Sequence, residues 1–133
     1  MNITMQTKAI QNGTKLLVAG EVDAHTAPQL FDQLVPLVQR TANQSVVVDL
    51  AEVSYLDSTG LGVFVGALKL SQQTGCRLSI QNVTPRIERL FRITGLIDII
   101  PVTPLEESAA GQQDQASLQK QFGVDSADPK EEP

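Results

Sequence analysis

Asp57-Ser58-Thr59-Gly60-Leu61-Gly62 sets an acid, two hydroxyls and two glycines side by side. A strand-like apolar run enters this stretch and a helix-like pattern leaves it, so the hydroxyls fall at a helix start. Several chemistries use such residue types. The glycines continue to Gly66 as G-x-G-x-x-x-G without a Lys-Ser/Thr pair, so neither a P-loop nor a dinucleotide fingerprint is met. The D-[ST]-G of an aspartic protease is missed by one residue. A hydrolytic triad would draw on Ser58, His25 and Asp23. Yet Ser58 lacks the G-x-S-x-G elbow, and His25 is the only histidine. One cysteine, Cys76, and one histidine at no ligand spacing do not make a metal site. What fits is a hydroxyl that is acted upon. Ser58, exposed at a helix start among small neighbours, gives the access that a kinase needs.

The elements that must hold this stretch can be read from periodicity. Ile3, Met5, Thr7 and Ala9 alternate as an edge strand, and Asn12-Gly13 suits a type I′ turn into a second strand, "KLLVAG". Ala27, Leu30, Phe31, Leu34, Leu37 and Val38 share one helical face. Thr26, Pro28 and Gln29 give that helix an N-cap, a first-turn proline and a capping-box partner. Pro36 should kink or interrupt it. "SVVVDL", Ser45–Leu50, reads as a strand buried on both faces. A helix from Thr59 to Thr74 stops at Gly75. Arg77–Gln81 is a strand, and Thr84-Pro85 opens a helix with Ile87, Leu90 and Phe91 inward. "IDIIPV" is a last strand, and Thr103, Pro104 and Glu106 form a second capping box for a short terminal helix. The order β-β-α-β-α-β-α-β-α predicts an α/β fold with a mostly parallel sheet and an antiparallel first strand.

Composition narrows the class. Apolar residues make up 41% of the 133, enough for one aliphatic core, with 4% aromatics and no Trp. The net charge of −5 lies wholly beyond Pro104, where seven acids face two bases. The rest sums to zero, which disfavours nucleic acid and anionic membranes as partners. No signal peptide or membrane-length apolar run is present, so a cytoplasmic protein is expected, and without a phosphate-binding or metal-ligand motif no cofactor is expected. From about Gly111 the chain has too little apolar surface to order itself. The expected division is one domain over 1–112 and a disordered acidic tail over 113–133, with a transient helical turn in "SLQKQF".

In an open parallel sheet the loops at the carboxyl ends of the strands share one edge, where ligands bind. That edge should gather Asp23 and His25 from "GEVDAHT" with Asp57, Ser58 and Thr59. Each glycine in a helix costs about 1 kcal/mol against Ala. Close approach of another molecule's backbone would account for Gly60 and Gly62, and close approach of helix to sheet for Gly66.

"VDLAEVSYLDSTGLGVFVGALK", "RLFRITGLIDII" and "GEVDAHTAPQL" together resemble the anti-sigma factor antagonist branch of the STAS domain family, over roughly residues 1–110. The resemblance implies a single STAS domain that is not an enzyme and that works by partner switching in stress response or sporulation. The unmodified antagonist would bind an anti-sigma factor that is also a serine kinase. Phosphorylation on Ser58 would end binding, and a PP2C-type phosphatase would reset it. Thr59 is the competing acceptor. Asp23, His25, Asp57, Ser58, Thr59, Gly60, Leu61 and Gly62 would form the partner surface. The alternative is a non-switching STAS scaffold or small-ligand module.

Overall fold

The computed structural model describes residues 2–105. In chain order the elements are β1 (Ile3–Ile10), β2 (Gly13–Val22), α1 (Ala27–Arg40), β3 (Ser45–Leu56), α2 (Ser58–Thr74), β4 (Arg77–Val83), α3 (Pro85–Ile93), a 3-10 turn (Leu96–Asp98) and β5 (Val102–Pro104). The five strands lie in sequence order in one sheet. β1 is antiparallel to β2, and β2 to β5 run parallel. This is the α/β order expected from the sequence as far as β5. The terminal helix and the acidic tail fall largely outside the described residues.

Right-handed crossovers between successive neighbours put all three helices on one face of the sheet. Burial follows from this. In β4, Leu78 and Ile80 are buried under the helices, while Ser79 and Gln81 on the opposite face are half-buried. The core joins Leu16, Val48 and Ile80 of the sheet to Leu30, Leu34, Phe64 and Phe91 of the helices. In β3 the expected burial on both faces is incomplete, because Val47 is only half-buried. Asp49 is buried on that open face and held by Lys15 Nζ at 3.5 Å, Asn82 Nδ2 at 2.9 Å and the Ala51 N–H at 2.9 Å.

Several local expectations are corrected. The β1–β2 turn is Gln11-Asn12, because Ile10 pairs with Gly13, and only Asn12 has positive φ (63°). Gly13 is needed for another reason: a Cβ there would collide with the Ser45 carbonyl oxygen of β3. Pro36 does not interrupt α1, and Phe31 is 44% exposed instead of in the core. "IDIIPV" is not one strand. The Asp98, Ile99 and Ile100 N–H groups bond back to Gly95 and Leu96 carbonyls, so the backbone is committed locally before β5 begins. Thr103 and Pro104 lie in β5 beside Gln81 and Val83, so they are not a cap and first helical residue.

The register explains why the site projects. Pairing of β3 with β4 ends at Asp49↔Gln81, whereas pairing with β2 continues to Val22↔Leu56. At about 3.3 Å per residue, β3 carries the start of α2 roughly 15–20 Å past the end of β4.

Candidate functional site

The two loops meet where β2 and β3 end together. The Asp57 N–H donates to the Val22 carbonyl at 3.2 Å, which fixes the start of α2 beside the Asp23 loop. Asp23, His25, Asp57, Ser58 and Thr59 therefore share one edge, as the topology required.

Asp57 is the N-cap of α2. Its extended backbone turns the side chain over the helix end, and Oδ1 accepts from the Thr59 N–H (3.0 Å) and the Gly60 N–H (3.4 Å). Two of the helix's orphan donors are thus satisfied by the residue before Ser58. Asp57→Ala should cost about 1 kcal/mol by loss of this cap. That is roughly 4–8 °C in Tm for a domain of this size, readable by calorimetry. Ser58 and Thr59 are both exposed, and neither hydroxyl makes a hydrogen bond among the described residues.

The Asp23 loop is built from within. Asp23 Oδ1 accepts from the backbone N–H groups of His25 (2.9 Å) and Thr26 (3.0 Å). Thr26 is fully buried and does not cap α1 with its side chain. Its hydroxyl donates to the Glu21 carbonyl at 2.7 Å and accepts from the Asp23 N–H at 3.0 Å. The expected capping box with Gln29 is replaced by a bracket across the loop, because the hydroxyl turns back toward β2.

The Thr26 N–H, foremost, holds the Asp23 carboxyl below its ordinary 3.8, with the His25 N–H adding to it against desolvation. A lowered folded-state pKa means stability that is present above the unfolded value and is lost as pH falls through the folded one. Asp23→Ala should therefore lower Tm at neutral pH, and the gap to the parent should close below pH 3.8, in thermal scans against pH.

No triad is assembled. Oδ1 of Asp23 is engaged by backbone, and the exposed His25 is held through its main chain, with no ring hydrogen bond among the described residues.

The glycines divide. Gly60 is buried, and a Cβ on it would collide with Leu56 Cδ1 and lie 2.7 Å from Val22 Cγ1. The close approach that its missing Cβ allows in this structure is to its own sheet. Leu61 is likewise buried, at 6% exposure, so its side chain is not on the surface. Gly62 and Gly66 have open space where a Cβ would be, so Gly66 does not mark close approach to the sheet. Two residues were missed by sequence reasoning. Tyr55, just before the site on β3, and Phe31, in the second turn of α1, are 40% and 44% exposed. Scarcity was the available signal: the chain has one Tyr and four Phe.

Comparisons agree with this architecture. The model of the STAS domain matches residues 4–109. An anti-sigma-B factor antagonist of Bacillus subtilis (strain 168) is 44% identical over 107 residues, covering 80% of this chain and 96% of its own length. One of Staphylococcus epidermidis is 46% identical over 102 residues, 77% of this chain and 94% of its own. The crystal structure of an anti-sigma factor antagonist from Mycobacterium paratuberculosis superposes with a TM-score of 0.69 at 27% identity, covering 82% and 92% of the two chains. With its five-stranded mixed sheet, its helices on one face and the D-S-T-G-L-G helix start, the chain belongs to the STAS domain family, among the anti-sigma factor antagonists.

Proposed function

We propose that this chain is an anti-anti-sigma factor whose unmodified form binds an anti-sigma factor with serine-kinase activity and so frees a sigma factor. Phosphate on Ser58 ends that binding, and a PP2C-type phosphatase removes it. The observation that carries this reading is the placement of Ser58. It is the first residue of α2, exposed, its hydroxyl without a hydrogen bond among the described residues, at the tip of a β2–β3 projection. A kinase cleft can close around such a tip without unfolding anything. The relatives named as anti-sigma-B factor antagonists support the choice of partner.

The partner surface in this reading comprises Asp23, His25, Asp57, Ser58, Thr59 and Gly62. Gly60 and Leu61 shape the helix start from beneath. Tyr55 and Phe31 add exposed aromatic area on flanking segments, the kind of residue that anchors interfaces.

A groove of about 530 Å³ lined by Gln6, Leu17, Ala19, Asp49, Ala51 and Glu52 is the observation that favours the alternative, a small-ligand module. Incubation with ATP and each anti-sigma kinase of the same genome separates the two. Phosphate mapped to Ser58 supports the switch. Phosphate on Thr59 moves the acceptor by one residue. Absence of phosphate with every kinase favours the non-switching module.

A further inference from the structure

α3 turns an unusual face to solvent. Ile87 and Phe91 point into the core, and Arg86, Arg89, Arg92 and Ile93 lie exposed on the other side. Ile93 (72%) and Ile99 of the following turn (57%) are the two most exposed large apolar residues among those described. Arg92 is paired with Glu88 at 3.1 Å, whereas Arg86 and Arg89 make no ion pair among the described residues. Three arginines and one glutamate leave this helix at +2. The exposed Asp98 beside Ile99 lowers the patch to +1, so it stays cationic, and a cationic face with bare isoleucines suits an acidic segment carrying a few apolar side chains.

Such a segment begins next to it. The Leu105 N–H donates to the Val83 carbonyl at 2.8 Å, and Val83 stands two residues before Pro85, the first residue of α3. The chain thus leaves β5 beside the positive end of α3, and the next two residues are Glu106 and Glu107. Residues 106–133 carry seven acids and two bases, net −5, with Leu118, Phe122 and Val124 as their large apolar residues. At about 1.5 Å per residue α3 is some 13 Å long, a span that about four extended residues cover. Length is no obstacle, and tethering raises the local concentration to the millimolar range. The two antagonist relatives match over 96% and 94% of their length but only 80% and 77% of this chain. We propose that the acidic segment 106–133 docks on the Arg86–Arg89–Ile93–Ile99 face of its own chain. The proposal is independent of the reading of Ser58.

Paramagnetic broadening tests it on the full chain. A nitroxide is placed at Ser117→Cys in a Cys76→Ala background, and amide intensities are read from isotope-labelled protein. Amides of α3 and of Leu96–Ile99 should lose intensity selectively relative to β1. The loss should vanish in Arg86→Gln/Arg89→Gln protein, whose other amide shifts report an intact fold. It should also weaken in about 1 M salt, where the screening length is about 3 Å. Uniform or absent broadening overturns the proposal, as does broadening centred on another face. A second copy is the occupant instead if the loss persists when nitroxide and isotope are on separate chains. An acidic partner protein is the occupant if the amides shift only when that partner is added.

Discussion

Ser58→Ala should bind the anti-sigma partner as tightly as the parent, Ser58→Asp more weakly, and the phosphorylated protein most weakly of all. Phosphate adds about −1.5 to −2 charge and three acceptor oxygens at a position that already has Asp57 beside it. Per pair of unit charges ~5 Å apart, an effective dielectric of 20 to 80 gives about 0.8–3.3 kcal/mol. With about 1.4 kcal/mol per tenfold in affinity, one acidic partner group facing the phosphate is worth roughly fourfold to 200-fold. Aspartate supplies one charge and no tetrahedral bulk, hence its intermediate rank. The fold should survive. The N-terminus of α2 attracts an anion, and Asp57 already satisfies two of its N–H groups, so the phosphate has little structure to displace. Titration calorimetry of the three forms tests the ranking, with thermal scans of each alone. Phosphorylated protein that binds like the parent refutes the switch at Ser58. A large fall in its Tm would replace an interface switch by an unfolding one. Raising the salt should narrow the gap if charge dominates, and leave it unchanged if steric exclusion does.

What could be read from the sequence was what repeats or punctuates. The strand–helix alternation, the start of α2 behind Asp57 and its stop at Gly75 all appear as residue types at fixed spacing. The shared edge of Asp23 and Asp57 followed from topology. The losses have a common cause, since each depends on a neighbour distant in the chain. Periodicity alone ends β3 at Leu50 because its register shifts there: Leu50 and Val53 both face the core three positions apart, which breaks the period of two. Glu52, Ser54 and Tyr55 meet solvent and so read as loop. Thr26 before Ala27-Pro28 has the look of a cap, and only the nearness of the Glu21 carbonyl shows that its hydroxyl is used elsewhere. Leu96 and Ile100 have helical spacing hidden in a run of isoleucines, so the stretch reads as a strand where a tight turn forms.

Gly60→Ala and Gly62→Ala, two residues apart on one helix, should move stability in opposite directions. Both exchanges recover up to about 1 kcal/mol of helix propensity in an interior position. For Gly62 nothing opposes it, since the new methyl enters open space. Its Tm should rise by a few degrees at roughly 4–8 °C per kcal/mol. For Gly60 the methyl must displace the Leu56 side chain and a Val22 methyl 2.7 Å away, and Val22 is fully buried and stiff about χ1. Overpacking of this kind costs about 1–3 kcal/mol, which exceeds the propensity gain, so Tm should fall. Because Val22 and Leu56 are paired neighbours that carry both site loops, the strain should also reach the Asp23 loop and the start of α2. Partner affinity adds a second axis. Gly62→Gln projects a long side chain from the same face as Ser58, one turn along α2, into the surface proposed for the partner. It should leave Tm near that of the Gly62→Ala protein while weakening binding by tenfold or so, about 1.4 kcal/mol. Gly60→Ala should instead lose binding only in step with its loss of fold. If Gly62→Gln binds as the parent does, this turn of α2 lies outside the interface, and the two glycines are then purely matters of packing.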